Sequence, residues 1–178
     1  MTQPLNKAAI VAAARRIADR DGLGELTLRR IAGELGTGAA SLYRHIADRQ
    51  ELLLLLVEDL VAGYPLLDPA GTDPVEAVVR QWHAMYEHLV AHSWSGPVIA
   101  DGDYALPSAK PVADHCMALL RGAGLDEVAA QRVYRAAWRL IIGHLMSRHP
   151  FGHLQGAPPQ QDDFDWALRT LLRGALAQ

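Results

Sequence analysis

The spacing of apolar residues constrains the fold of this chain more than any other feature of its sequence. Near the N-terminus, Ile10, Ala14 and Ile17 recur at intervals of three and four residues and so share one face of a helix. The strongest apolar stripe comprises Val75, Val78, Val79, Trp82, Met85, Tyr86, Leu89 and Val90. No run alternates apolar and polar residues as a half-buried strand does. The pattern predicts an all-α fold.

Capping residues and helix breakers divide the chain into segments. Asp48 and Glu51 form a capping box in front of the run ELLLLLVEDL. The Pro/Gly-rich segment YPLLDPAGTDP predicts a break and a boundary between modules. We further expect helices at residues 126–148 and 162–177, and irregular structure in SGPVIADGDYALP and HPFGHLQGAPPQQ.

Composition excludes several classes of protein. Half of the 178 residues are hydrophobic, which is enough for a packed core. The longest apolar run, residues 52–57, is far too short to span a membrane, and the N-terminus lacks the pattern of a signal peptide. The single cysteine, Cys116, excludes an intramolecular disulfide. We therefore expect a soluble, cytoplasmic protein.

Two short predicted helices are arranged as a helix-turn-helix. Thr27 is a suitable N-cap for the first helix, and Gly36 stands where a left-handed residue ends it. The second helix is expected from about Gly38 to His45. In this motif the second helix can enter the major groove of DNA, where small residues at its start allow a close approach to base edges.

The charge of the chain is unevenly distributed. Residues 1–50 contain eight bases and five acids, whereas the remaining 128 residues contain nine bases and fifteen acids. This asymmetry suggests that the N-terminal part binds a polyanion, although an ordinary solvated surface would also accommodate it.

Residues 8 to 60 resemble the DNA-binding domain of the TetR family of bacterial transcriptional regulators. The resemblance lies in DGLGELTLRRIAGELG, ASLYRHI and DRQELL. Thr37 stands where the family usually has a valine-like residue, and Gly38 stands where a serine or threonine usually caps the second helix. Either Thr37 caps one residue early, or the cap is glycine.

The resemblance implies a DNA-binding domain at residues 1–47 and an effector-binding and dimerisation domain at residues 48–178, with residues 48–63 as a linking helix. It also implies a homodimer formed mainly by the last two helices. The helix at 126–148 carries two apolar stripes, which either a partner subunit or the interior of one subunit would cover. We expect DNA contacts from Thr27, Arg29, Thr37, Gly38, Ala39, Ala40, Tyr43, Arg44, His45 and Arg49.

The leading interpretation is a repressor that a small apolar or aromatic effector releases from a palindromic double-stranded DNA operator. Candidate effector-binding residues are Trp82, Tyr86, Trp94, Tyr104, Cys116, Trp138, Ile141 and His144. Each of them could instead be ordinary core. The alternative is a dimeric DNA-binding regulator that has no small effector and is controlled by a protein partner.

Histidines raise the question of catalysis or metal binding. His88 and His92, like His149 and His153, are spaced as i and i+4, but no HExxH, CxxC or Glu-x-x-His motif accompanies them. No motif pairs a nucleophile with a base. We therefore expect no catalytic residue, no metal site and no cofactor.

Overall fold

The computed structural model describes residues 5–101, 106–147 and 162–177. Within these ranges the chain forms helices, two short 3-10 turns and loops, and it contains no strand, which confirms the predicted all-α fold. None of the helices described there is long and apolar enough to cross a bilayer. The described residues fall into two compact units, one within Met1–Gly63 and Ala91–Ser108 and the other within Tyr64–Val90 and Ala109–Gln178.

The first unit contains five helices in its described part: α1 (Lys7–Asp21), α2 (Leu28–Glu34), α3 (Ala39–Leu42), α4 (Arg49–Ala62) and α6 (Ser95–Asp101). Helix α1 packs against α2 and α4, and α2 packs against α3. The fully buried side chains of the first unit include Ile10, Ile17, Ile31, Leu42, Ile46 and Leu56. The apolar face predicted for the first helix is therefore the face that forms this core.

Side-chain caps begin three helices of the first unit. Asn6, Thr27 and Asp48 each accept a hydrogen bond from the backbone N–H three residues further along, at 2.8, 3.2 and 2.8 Å. The capping box predicted for α4 forms, with one change from the usual pattern. Glu51 Oε2 accepts from the N–H of Ala47, at 2.6 Å, rather than from that of the N-cap residue.

The second unit is a bundle of four helices in its described part: α5 (Pro74–Val90), α7 (Lys110–Gly122), α8 (Glu127–Met146) and α9 (Asp163–Leu176). Helix α5 packs against the other three, and α8 packs against α7 and α9. The apolar stripe of α5 supplies Val78, Trp82, Met85 and Leu89 to the core, whereas Val90 at its end is exposed. The helices predicted at 126–148 and 162–177 are present with slightly shorter bounds.

One predicted loop is in part a helix. The segment SGPVIADGDYALP was expected to be irregular, but its first seven residues form α6. Pro97 is the third residue of this helix, where a backbone N–H has no acceptor within the helix, so the proline does not interrupt it. Residues 102–105, and the predicted loop HPFGHLQGAPPQQ at 149–161, lie outside the described residues.

Candidate functional site

The turn between α2 and α3 is closed by two backbone hydrogen bonds. Gly36 has a φ of +64°, in the left-handed region that favours glycine. Its N–H donates to the carbonyl oxygen of Gly33 at 3.2 Å, and the N–H of Thr37 donates to that of Ala32 at 2.9 Å. These bonds form a Schellman motif, which ends α2 at the predicted position and directs the chain into α3.

The N-cap of α3 is Gly38, and no side chain makes a capping hydrogen bond there. Glycine is thus the cap, and Thr37 does not replace it. The regular helix is shorter than predicted and ends at Leu42 instead of His45. The chain then turns, because the N–H groups of His45 and Ile46 both donate to the carbonyl oxygen of Leu42, at 2.8 and 2.9 Å. Leu42 is fully buried and anchors α3 to the core.

The polar residues predicted to contact DNA lie at the surface around α3. Tyr43 is 60% exposed, Arg44 is exposed and His45 is half-buried. Ala40 is exposed as well, whereas Ala39 and Thr37 are half-buried. Thr27 is also exposed, with its hydroxyl oxygen accepting from the N–H of Arg30 at the start of α2.

Ion pairs distinguish two groups among the eight bases of residues 1–50. Five of them bind carboxylates, and these are Lys7, Arg15, Arg16, Arg20 and Arg30. Arg29, Arg44 and Arg49 are exposed and make no ion pair with any residue that the structure describes. The three arginines without a carboxylate partner are therefore all members of the predicted DNA-contacting set.

Two of the predicted effector-binding residues, Trp82 and Trp138, belong to a cluster of packed rings in the second unit. Trp82 is fully buried and packs edge-on against Tyr134 and Trp138, with ring centroids 5.6 Å apart in both pairs. Tyr64 packs against Trp138 at 6.3 Å. We call Tyr64, Trp82, Tyr134 and Trp138 the aromatic cluster. Burial raises the pKa of the Tyr64 and Tyr134 hydroxyls above the ordinary value, so both phenols stay neutral.

A second group of rings joins α5, α8 and α9. Tyr86 stacks on Phe164 with centroids 4.6 Å apart, and the ring of His144 meets both edge-on. His144 Nδ1 lies 2.9 Å from the carbonyl oxygen of Leu140, one turn earlier in the same helix. Ile141, on the same helix, is fully buried.

The remaining predicted effector-binding residues are Cys116, Trp94 and Tyr104. Cys116 is fully buried with its Sγ 3.7 Å from Met85 Sδ, and burial raises the pKa of its thiol to about 12. Such a thiol is a core group and not a reactive thiolate. Trp94 belongs to the first unit, where its Nε1–H donates to Asp19 Oδ1 at 2.6 Å. Tyr104 lies outside the described residues.

Gln81 is a fully buried polar residue of α5 that was not predicted from the sequence. Its Oε1 accepts from the N–H of Leu67 at 2.8 Å and lies 3.1 Å from His115 Nε2, while its Nε2 donates to the carbonyl oxygen of Pro65 at 2.7 Å. The side chain thus fixes the start of the Pro/Gly-rich segment to α5. The signal in the sequence was an amide beside Trp82, within the strongest apolar stripe.

Comparison with known proteins agrees with this arrangement. Residues 10–56, which span α1 to α4, match the family described as bacterial regulatory proteins, tetR family. The repressor DrrR1 of Streptomyces coeruleorubidus, named an HTH-type transcriptional repressor, is 35% identical over 124 residues. That match covers 66% of this chain and 44% of DrrR1, so the chain spans less than half the length of this relative.

Solved structures share the fold along nearly the whole chain. Apo ActR from Streptomyces coelicolor superimposes with a TM-score of 0.82 at 25% identity and covers 99% of this chain and 97% of its own. The chain belongs to the TetR family. ActR in complex with actinorhodin gives a TM-score of 0.80 at 26% identity, with 98% of both chains covered. BioQ with its double-stranded DNA operator, at 24% identity and a TM-score of 0.73, has the same fold over 98% of this chain and 100% of its own.

The TetR-family chain has an open groove between α8 and α9, with a volume of about 760 Å³. Small and apolar side chains line it, among them Val128, Ala129, Ala136, Leu171 and Ala175. Val128 is 67% exposed. The residues described by the structure contain no group of three or more His, Cys, Asp or Glu side chains that could hold a metal ion.

Proposed function

We propose that this TetR-family chain is a homodimeric DNA-binding transcriptional repressor and not an enzyme. The proposal rests mainly on one observation. The arginines of the first unit that lack an ion pair among the described residues are Arg29, Arg44 and Arg49, and all three are exposed. Two of them follow α3 in the sequence, and the third lies in the helix before it. Cations without carboxylate partners are available to phosphates, which supply most of the affinity of a protein for DNA.

Each predicted contact has a role in this proposal. Thr27, Arg29, Tyr43, Arg44, His45 and Arg49 hold phosphates and fix the orientation of α3. Thr37, Gly38, Ala39 and Ala40 approach base edges, where their small side chains allow the helix to enter the major groove. DNA binding is assigned to residues 1–47 together with Arg49 in the linking helix at 48–63, and effector binding and dimerisation are assigned to the rest of residues 48–178.

The dimer is proposed to form through α8 and α9. The groove between these helices, together with the exposed side chain of Val128, presents apolar surface that a second copy of the chain would cover. A two-fold dimer presents two copies of α3, which reach successive major grooves of a palindromic operator about one helical turn (~34 Å) apart.

A small apolar or aromatic effector is proposed to release the repressor. Support comes from ActR, which has been solved in complex with actinorhodin, and from the aromatic residues that the second unit contributes to its interior. The effector works through a higher affinity for the conformation of the dimer in which the two copies of α3 no longer match the operator.

One observation favours a second function, that of a regulator without a small effector that is controlled by a protein partner. Trp82, Cys116 and Ile141 are fully buried, and the rings of the aromatic cluster pack directly on one another. Side chains therefore fill the space between the rings of the aromatic cluster. In this alternative the second unit is a solid dimerisation core.

The test begins with the purified chain and double-stranded DNA fragments from the region upstream of its own coding sequence. Binding is measured against random DNA of equal length over a range of salt concentrations. We expect one fragment to bind at least about a thousand-fold more tightly than random DNA, which is the lower end of the usual range for specific binding. If all upstream fragments bind with the same affinity as random DNA, this upstream region contains no operator, which would contradict the proposal.

Release by an effector is tested on the same fragment. A set of uncharged planar aromatic compounds is added to the complex, and dissociation is measured together with the midpoint of thermal unfolding of the protein. A compound that raises the midpoint and dissociates the complex supports the effector. If compounds that dissociate the DNA leave the unfolding midpoint of the protein unchanged, they act on the DNA, and the protein-partner alternative is preferred.

A further inference from the structure

Asp21 at the end of α1 and Glu25 in the 3-10 turn Leu23–Glu25 form ion pairs with arginines of the first unit. Arg30 Nη2 lies 2.6 Å from Asp21 Oδ2, and its Nη1 lies 2.7 Å from Glu25 Oε2. Arg20 Nε also donates to Asp21 Oδ2, at 2.8 Å. One carboxylate, Asp21, thus binds two arginines, and one arginine, Arg30, binds two carboxylates.

The same chain of ion pairs continues along α1 to the end of α2. Glu34 accepts from Arg16 Nε at 2.8 Å and from Arg20 Nη2 at 3.4 Å. Its hydrogen bond from Arg16 lowers the pKa of Glu34 below the ordinary value, so this carboxylate is charged at neutral pH. We call Arg16, Arg20, Asp21, Glu25, Arg30 and Glu34 the neutral network, because its three positive and three negative charges cancel.

The neutral network borders the proposed phosphate-contacting residues. Arg49 Nη2 donates to the carbonyl oxygen of Leu23, which lies two residues before Glu25 in the same 3-10 turn. The N–H of Arg30 donates to Thr27 Oγ1, and Arg29 is the neighbour of Arg30 in α2. The side chain of Glu25 is 63% exposed, so its negative charge lies at the protein surface.

We infer that Asp21 and Glu25 limit the sequence-independent affinity of this chain for DNA by neutralising Arg20 and Arg30 beside the phosphate-contacting surface. The inference rests on the proposed function and adds residues that weaken sequence-independent binding to DNA. Exposed ion pairs are individually weak, so a phosphate could displace a carboxylate from Arg30. The displaced carboxylate would then remain within a Debye length, about 8 Å, of the same phosphate and would cancel the gain.

The consequence is a shallow dependence of DNA affinity on salt. Sequence-independent affinity comes from the counterions that a protein displaces from the phosphates, and their number follows the uncompensated positive charge at the interface. With the network intact, the arginines of the first unit that contribute are Arg29, Arg44 and Arg49.

The experiment uses Glu25→Gln, in which the amide can still accept a hydrogen bond from Arg30 but carries no charge. Binding of the full chain to random double-stranded DNA is measured between 50 and 200 mM salt, beside the same measurement for the wild type. Because the network then carries three positive and two negative charges, it gains one uncompensated positive charge per subunit, and we expect the slope of log K against log salt to steepen by about one per subunit. Asp21→Asn is expected to act in the same direction and serves as a second variant.

Two control variants show whether a change in slope comes from the charge freed in the neutral network. Glu87→Gln makes the same change in net charge on an exposed position of α5 in the second unit and is expected to leave the slope unchanged. Arg30→Ala in the Glu25→Gln background removes the freed charge and is expected to restore a slope close to the wild-type value. Wild-type slopes in both Glu25→Gln and Asp21→Asn, with wild-type helical content, would overturn the inference while leaving the proposed function intact. A wild type without salt-dependent DNA binding would overturn both.

Discussion

Arg49 at the start of α4 donates a hydrogen bond from Nη2 to the carbonyl oxygen of Leu23, at 3.1 Å. The two residues are 26 positions apart, and the bond ties the first turn of α4 to the 3-10 turn that precedes α2. Because a carbonyl oxygen does not neutralise a guanidinium, Arg49 keeps its charge available for phosphate.

Arg49→Ala is therefore expected to weaken binding to operator and to random DNA by similar factors. Removal of one phosphate contact lowers the slope of log K against log salt by about one per subunit. Arg80→Ala, at an exposed position of α5, is the control and should leave the slope unchanged. A wild-type slope for Arg49→Ala would show that Arg49 acts only as a structural tie to Leu23.

Gln81→Met is expected to destabilise the chain. Methionine has a similar volume but leaves the N–H of Leu67 and the carbonyl oxygen of Pro65 without the amide that binds them. A buried polar group that loses its partner costs about 1–3 kcal/mol, so the free energy of unfolding in urea should fall by about 2 kcal/mol. Gln50→Met, at an exposed position of α4, should change it little. Equal effects of the two substitutions would contradict the role assigned to Gln81.

The ion pair between Glu76 and Arg169 predicts a pH dependence of stability. Both guanidinium Nη atoms of Arg169 bind the carboxylate, at 2.6 and 3.1 Å, and this lowers the pKa of Glu76 below its ordinary value of 4.5. A carboxylate with a lowered pKa in the folded state stabilises the fold above its unfolded pKa and ceases to do so as the pH falls below that value.

Glu76→Gln should accordingly be less stable than the wild type near neutral pH, and the difference should shrink below about pH 4.5. The measurement is urea unfolding at a series of pH values. Other carboxylates with lowered pKa, such as Glu34 and Glu51, remain in both proteins and cancel in the comparison. A difference that stays constant down to pH 3 would show that the charge of Glu76 is not its cause.

Val128→Lys tests the proposed dimer interface. The side chain lies in the groove between α8 and α9 and is 67% exposed, so lysine there should not disturb the fold of one subunit. Burying this charge in an interface between two copies would be costly, and we expect sedimentation equilibrium to show a shift from dimer to monomer. Val90→Lys, at a 45% exposed position of α5, is the matched control. Equal dimer fractions in both variants and the wild type would exclude Val128 from the interface.

The long helices were predictable because apolar spacing reports directly on the buried face of a helix. Val78, Trp82, Met85 and Leu89 of α5 illustrate this, since all four are buried as the stripe requires. Helix α6 was missed because Gly96 and Pro97 usually break helices, and the exception depends on Pro97 lying in the first turn. Such a position becomes clear only when the start of the helix is known.

The site was predictable only in part. The ordered motif around Tyr43, Arg44 and Arg49 identified the helix-turn-helix, because its residues are close in sequence. Ion pairs such as Arg16–Glu34 and Arg15–Asp59 join residues 18 and 44 positions apart, and their formation depends on how helices pack. The same reason explains why the candidate effector-binding residues, chosen by type, are distributed over both units.

We propose that a dimer of this chain binds an operator through two copies of α3. A footprint of the wild type on the upstream fragment that binds most tightly tests it most directly. We expect two related half-sites whose centres are about one helical turn apart, or a multiple of it, protected together as protein is added. A single protected site without symmetry, at a stoichiometry of one chain per DNA, would contradict it.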